Sequence, residues 1–509
     1  MITQAAFPAI WVHTTNDSFN LPRLNDTLAF LTPEQRARLE RIRQARMLFD
    51  GRHREFFLDE GRTQFDFPRV RAGGRVVQLY LTYNVLGLTA LKGADLLFGQ
   101  VPMLRAGDAA QQAHLDDLVR RNDLHALFYG CAVDCAYEGE CFLEACAHGG
   151  RAYLKQVPAD EIFPLGERLP DGQFAQYARY RVRNAGTDEE PLYLLLEILY
   201  LPGHIERRCY QLEEGGRRRE VSLQAWEGTK AHRHEGTKGD QGTTDSDSSS
   251  CLRASVPSCL SPLTVTGLDT PTITWLPNHL VRGRPVSDFD GAIELQDALN
   301  AKNSQVGRVL LKHSDPRMAF PEEAFDPQTG DVRADHDVFA YGADSTRTPR
   351  YITWDAALQH ALEDRAFILN QLLVRTETSQ VLLGMKQGAA PDAYKKVRLE
   401  SFNSLTKAAR KTAYWTGAIR RAISVAQQLE NALPNGPRYP VKPVAVELRD
   451  GIPVDEKEQA ERLSILKAAG LISLERALTE QLHDPRAVKK EMARLGVTPL
   501  PDDADPAGF

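Results

Sequence analysis

At 509 residues, 42% of them hydrophobic, the chain has material for more than one core and is too apolar to remain unfolded. Its 62 basic and 68 acidic residues leave a formal charge of -6, without the bulk basicity of a protein that grips nucleic acid tightly. Seven cysteines, no secretory leader at Met1 and no apolar run long enough for a bilayer predict a soluble protein of a reducing compartment, with no membrane partner.

Thr32-Pro33-Glu34-Gln35 has the spacing of a capping box and predicts a helix to about Asp50, with Leu39, Ile42 and Leu48 inward. Arg36, Arg38, Arg41, Arg43 and Arg46 form its other side. Glu34 and Glu40 interleave with them and no aromatic platform accompanies them, so a solvated or subunit-contact face is favoured over a DNA-binding one. Further helices are predicted over Asn84 to Phe98 and Gln111 to Tyr137. Cys131, Cys135, Cys141 and Cys146, with His148 nearby, lack the paired short spacing of zinc knuckles and are expected to be buried thiols.

Ala152 to Val157, Phe174 to Val182, Leu192 to Leu201 and Ile205 to Leu212 alternate or are β-rich, with Pro/Gly/Asp turns between them, and predict an antiparallel sheet in an α+β domain. From Glu227 to Pro262 the composition shifts to Gly, Thr, Ser and Asp, as expected of a flexible insertion. His232 and His234 within it have no acid or thiol beside them and are expected to be solvated.

Ser287 to Asn431 organises the chain. Ser287 and Asp290 are placed to cap a helix whose stripe is Phe289, Ile293, Leu299, Val306 and Leu310. The proline- and glycine-rich stretch from His313 to Thr353 interrupts it, with strand-like runs at Val338 to Tyr341 and Arg350 to Thr353. Asp355 is placed to cap a second helix with Leu358, Leu362, Phe367, Leu369 and Leu372. After a glycine-punctuated loop, Val397, Phe402, Leu405, Ala409, Ala413, Trp415, Ile419, Ile423, Ala426 and Leu429 predict one helix of about 60 Å. Val444 to Leu448 suits a returning strand. Three short helices follow, Asp455 to Ala469, Ser473 to Leu482 and Asp484 to Leu495, before a tail expected to be disordered.

No phosphate-binding loop, HExxH, GxSxG or paired CxxC occurs, and no catalytic, cofactor or metal set is predicted. Glu322 with Glu323, and Asp502 with Asp503, read as solvated surface.

Trp275-Leu276-Pro277-Asn278-His279, then Ser287-Asp288-Phe289 and Leu295-Gln296-Asp297-Ala298-Leu299-Asn300, resemble the segment leading into the channel helix of tailed-bacteriophage portal proteins, the head-to-tail connectors. Asn84 through Ala94-Asp95-Leu96-Leu97-Phe98-Gly99 is similar to an early portal helix. Asp450-Gly451-Ile452-Pro453 and Ala469-Gly470-Leu471-Ile472-Ser473 are similar to the carboxy-terminal part. The resemblance implies an α+β wing over 1–286 carrying the insertion at 227–262, stem helices at 287–312 and 354–375, and a clip at 313–353. It further implies a tunnel loop at 376–391, a long wing helix at 392–431, a returning wing strand at 432–453, a helical crown at 454–498 and a disordered tail at 499–509.

By the same resemblance, Val381, Leu382, Leu383, Gly384, Met385, Lys386, Gln387 and Gly388 form the tunnel loop, and Asn303, Arg308 and Lys312 face the channel. The implied protein is no enzyme. It is a homododecameric ring at one capsid vertex of the virion, assembled in the host cytoplasm, through which double-stranded DNA passes with low affinity. Its implied partners are the terminase packaging motor, a head-tail adaptor, and the major capsid and scaffold proteins. A DNA-binding or tail-adaptor protein, and a large soluble enzyme containing a helical bundle, are the alternatives the residues leave open.

Overall fold

The computed structural model describes residues 32–72, 75–184, 192–200, 203–212, 218–226, 261–314, 317–319, 350–352, 358–385, 393–452, 456–482 and 485–497. Helix α1 (Pro33–Phe49) starts at the expected capping box: Gln35 N donates to Thr32 Oγ1 at 3.3 Å, and Thr32 N to Gln35 Oε1 at 3.0 Å. Leu39, Ile42 and Leu48 are buried as predicted. Its arginines are another matter. Arg38 pairs with Glu140 at 2.6 Å, Arg46 with Glu138 at 2.6 Å and Asp160 at 2.7 Å, and Arg43 with Glu40 and Glu60. Much of the basic side of α1 therefore clamps the helix to its own subunit, which corrects the expectation of a solvated or subunit-contact face.

Two short strands, β1 (Arg69–Ala72) and β2 (Arg75–Gln78), make a hairpin ahead of α2 (Val85–Phe98). Strand β3 (Met103–Arg105) follows. The helix expected over Gln111 to Tyr137 is two helices, α3 (Ala109–Asn122) and α4 (Leu124–Glu138). Asp123 separates them in the left-handed region at φ 45°, a conformation that a short polar side chain tolerates better than most. Asn122 secures the break by donating to Leu118 O at 2.7 Å and accepting from Leu154 N at 2.8 Å.

Strands β4 (Glu140–His148), β5 (Arg151–Val157), β6 (Ile162–Arg168), β7 (Phe174–Asn184), β8 (Leu192–Tyr200), β9 (His204–Leu212), β10 (Arg218–Val221), β11 (Leu263–Val265) and β12 (Ile273–Pro277) form two antiparallel sheets. One has the order β12-β4-β5. The other runs β10-β9-β8-β7-β6, with β11 also paired to β9. The fold is α+β as expected, and the four predicted strands appear within a residue or two of their expected ends. The insertion leaves after β10 and returns at β11. Both strands pair with β9, at Cys209 to Leu212 and His204 to Glu206, so the chain returns to the sheet it left. Residues 227–260 lie outside the described residues. Cys131, Cys135, Cys141 and Cys209 are buried free thiols, and burial pushes the Cys141 thiol well up; Cys251 and Cys259 are outside the described residues.

The hairpin β13 (Leu280–Val281) and β14 (Arg284–Pro285) leads to α5 (Ile293–Ser314), which begins six residues later than predicted. Gly291 sits at φ 75°, which an α-helix cannot accommodate, and Ser287 and Asp290 tie a turn instead of capping the helix. Strands β15 (Arg317–Ala319) and β16 (Arg350–Ile352) pair across the base of the interrupting stretch. The run Val338 to Tyr341 lies outside the described residues, as does Asp355. Helix α6 (Leu358–Arg375) returns antiparallel to α5, bridged by Lys302 to Asp364 at 2.6 Å. Of the expected stripes, Phe289, Leu299, Val306 and Leu372 are buried, but Leu310 and Phe367 are exposed.

The expected 60 Å helix is divided at Ser401 into α7 (Ala393–Glu400) and α8 (Phe402–Ala432); the 31 residues of α8 span about 46 Å. It packs across β4, β5 and β12 and against α2. Its inward face departs from the apolar pattern. Phe402, Ala409 and Ala413, expected inside, are exposed, whereas Ser404, Lys407 and Lys411 are buried. Strand β17 (Ala445–Glu447) returns beside β3. Helices α9 (Glu456–Ala468), α10 (Leu474–Leu482) and α11 (Pro485–Arg494) end the described chain close to their predicted bounds.

Candidate functional site: the loop between α6 and α7 and its root

Lys407 and Lys411 turn inward because of one carboxylate. Asp288, in the turn before α5, is buried, and its Oδ2 receives Lys411 Nζ at 2.6 Å and Lys407 Nζ at 2.8 Å. Its Oδ1 receives Asn278 Nδ2 at 2.8 Å. Burial alone would push this carboxyl up, but the two ammonium groups outweigh it and hold Asp288 well below the usual carboxylate range. Burial pulls Lys407 below its ordinary value against the attraction of Asp288. A buried ion needs its remaining hydrogen bonds satisfied, and Lys407 meets this by donating to Thr376 O at 2.7 Å.

Thr376 is the first residue after α6, so this bond fastens the root of the loop. Ser404, one turn earlier on α8, accepts from Ser379 N at 2.9 Å and donates to Glu377 O at 2.9 Å. One turn later Arg410 pairs with the Glu377 carboxylate at 2.7 Å. Glu377 occupies the left-handed region at φ 52°, a conformation costly without glycine, and the bonds on either side hold it there. Ser404, Lys407 and Arg410 thus form a ladder at helical spacing that grips residues 376–379.

Beyond the ladder, Gln380–Leu383 form a single 3₁₀ turn that Gly384 closes at φ 67°. Val381, Leu382 and Leu383 are half-buried, and Leu382 and Leu383 pack on the main core. Gly384 and Met385 are exposed. Lys386, Gln387 and Gly388 lie outside the described residues. The expected loop is therefore divided into an anchored apolar part and an exposed end.

A second polar cluster holds α5 itself. Gln296, Asn300 and Ser304 are buried on one side of the helix. Gln296 accepts from Leu86 N at 3.3 Å and donates to Tyr83 O at 2.8 Å, Asn300 accepts from Tyr83 N at 3.2 Å, and Ser304 accepts from Leu81 N at 2.8 Å. Asn300 Nδ2 also donates to His53 Nδ1 at 3.0 Å, while the His53 Nε2 hydrogen goes to Leu48 O at 3.0 Å. Because a carbonyl can only accept, His53 is the Nε2-protonated neutral tautomer. Burial holds its pKa below the ordinary histidine value.

Of the residues expected to face a channel, Asn303 is half-buried and Arg308 exposed. Five residues apart, they differ by about 140° around the helix and do not share a face. The side chain of Lys312 lies outside the described residues. None of these belongs to either cluster. The residues that do, Asp288 with Lys407 and Lys411 and Asn300 with Gln296, were not singled out as a site, although Lys407 and Lys411 interrupt an apolar pattern at i,i+4 spacing, the one local signal of a buried charge pair. Among the described residues no group of three or more His, Cys, Asp or Glu could hold a metal ion, and no helix is long and apolar enough to cross a membrane.

No family model matches the sequence, and no curated protein matches it. Among solved structures the chain is similar to one from the neck of an empty gene transfer agent (GTA) particle computed with C6 symmetry, at 12% identity and TM-score 0.42, with 82% of this chain and 91% of that one covered. It is similar also to a chain of the native GTA virion (12% identity, 82% and 89% covered, TM-score 0.39) and of the native GTA neck computed with C12 symmetry (12%, 82% and 90%, 0.39).

Proposed function

We propose that the chain is one subunit of a portal-type ring at a capsid vertex, through which double-stranded DNA is packaged and ejected. The supporting observation is the antiparallel pair α5 and α6, rooted at one end by the Asp288 cluster on α8 and the Asn300 cluster on residues 81–86, and carrying at the other end a stretch closed by β15 and β16. A lone subunit leaves Phe367 and Val374 exposed on α6 at i,i+7 spacing, apolar surface that a neighbouring copy would cover. In this arrangement α5 and α6 are the stem, residues 313–353 the clip, the sheets with α8 the wing, and α9 to α11 the crown.

The exposed residues Gly384 and Met385 are the part presented to DNA, together with Lys386, Gln387 and Gly388 as the resemblance implies, while Leu382 and Leu383 pack on the body. One lysine per subunit gives at most one phosphate contact, in keeping with passage rather than retention. The packaging motor and a head-tail adaptor would dock on the clip, with capsid and scaffold proteins around the wing. Electron microscopy of the purified protein tests the proposal. Closed rings with head-to-tail contacts are expected, and compact monomers at every protein and salt concentration would overturn it.

A further inference from the structure

From β1 to the middle of α2 the chain carries two exposed arginines, Arg69 and Arg75, and no acidic side chain, Lys92 being paired with Asp95 at 2.7 Å, in a chain whose net charge is negative. The same stretch is unusually apolar at its surface: Val76 is 61% exposed, and Val77, Leu81, Tyr83 and Leu88 are each about 40% exposed. Among the described residues strands β1 and β2 pair only with each other, and an isolated hairpin is marginal in water. Yet it is firmly mounted. The chain leaving β2 is bonded at Leu81 and Tyr83 to Ser304 and Asn300, and Gly307 gives Leu81 room, because a Cβ there would lie 2.6 Å from the Leu81 Cδ1 atom.

A second uncovered surface lies on α6. Glu363, Phe367, Asn370 and Val374 fall within an arc of about 60°; Phe367 is 60% and Val374 69% exposed, and the carboxylate of that arc, Glu363, lies 3.5 Å from His360 Nδ1 at its margin. The two surfaces cannot cover each other within one subunit. The hairpin mount occupies the side of α5 that carries Asn300, and α6 binds the side that carries Lys302, two residues on and so about 200° away around the helix. Helix α5 separates them.

On the basis of the ring proposed above, we infer that the β1–β2 hairpin of one copy docks on the Glu363–Phe367–Val374 face of α6 in the next copy. Opposite charge and matched apolar character suit the contact, and two different patches on opposite sides of one helix generate a head-to-tail interface that closes by rotation. Exposed valines and leucines offer nothing to a phosphate backbone, so a protein surface is favoured over nucleic acid as the occupant.

The test is cysteine cross-linking of the full chain with a short bis-maleimide, using Val76→Cys/Phe367→Cys and, as a second pair from the same face of β2, Gln78→Cys/Val374→Cys. Each double variant is expected to give a ladder of covalent multimers. Mixed single variants should stop at dimers, and each single variant alone should stay at the background of the native cysteines. Rings seen by microscopy with neither pair cross-linking above that background would overturn the docking and leave the ring intact. Absence of rings in the unsubstituted protein would remove the ring itself. Rings lost from only one double variant leave the other pair to decide.

Discussion

The two clusters that attach α5 and the loop to the body solve one problem with different chemistry. The Asp288 cluster uses full charges, one carboxylate between two ammonium groups, in a site closed to water. The Asn300 cluster uses neutral amides and hydroxyls, and several of its bonds go to backbone groups of residues 81–86. In the charged cluster the attraction is strong but each ion depends on its partner. In the neutral cluster each bond is modest, and the loss of one group leaves smaller penalties behind. The charged cluster therefore resembles a bolt and the neutral one a seam.

Removing the bolt should have the largest effect. Asp288→Ala strands two buried ammonium groups, and the cost expected for breaking a buried ion pair is about 3–5 kcal/mol. Denaturant unfolding of the variant should show it, and a loss no greater than that of a surface substitution would contradict the contrast. The seam should lose less. Asn300→Ala leaves Tyr83 N and His53 Nδ1 without their partner, at an expected cost of about 1–3 kcal/mol. Hydrogen exchange of residues 79–84 should quicken in this variant before the loop residues 376–379 respond, because those are held by the other cluster.

Acid should distinguish the two clusters in the same protein. His53 is neutral in the fold with its pKa depressed by burial, so on acidification the unfolded chain takes up the proton first, near the ordinary value of 6.5. The unfolded state then binds more protons, and stability rises with pH from the depressed folded value up to about 6.5 and is level above it. Unfolding free energy measured from pH 7.5 down to 5 should fall, and should fall less in His53→Gln. Asp288, held far below the usual carboxylate range, should contribute no slope in that window. The smallest effect belongs to the outermost rung of the ladder. Arg410 and Glu377 are both about half exposed, and Arg410→Ala should change stability by no more than about 0.5 kcal/mol. A larger change would mean that the left-handed Glu377 depends on this pair and not on Ser404 alone.

Much of the element plan was legible before any tertiary contact was considered. The capping box at Thr32, the Asn84 start of α2, the alternating strands β7 to β9 and the stop at Gly470 after α9 are local devices, and each works through neighbours a few residues away. Of the three breaks that were missed, at Asp123, Gly291 and Ser401, the first two have the same reason in reverse. Asp123 and Gly291 change the backbone direction because distant partners, Leu154 for Asn122 and Ala136 for Asp288, reward the change. Of the loop, its position and glycine closure could be read from residue types. The division at Leu383 could not, since three aliphatics in a row suit a buried turn and an exposed one equally well.

Period and caps by themselves determined where most helices lie, because helical hydrogen bonds join residues four apart, whereas strand pairings such as β12 with β4 and β17 with β3 join residues far apart in the chain. The inward face of α8 was decided only by tertiary structure. Apolar periodicity pointed Phe402, Ala409 and Ala413 inside and left Lys407 and Lys411 out, and burying two ammonium groups is unfavourable on any local scale. It becomes favourable when Asp288, 123 residues from Lys411 in sequence, is delivered to the same point by the turn before α5, and no window along the chain contains both charges.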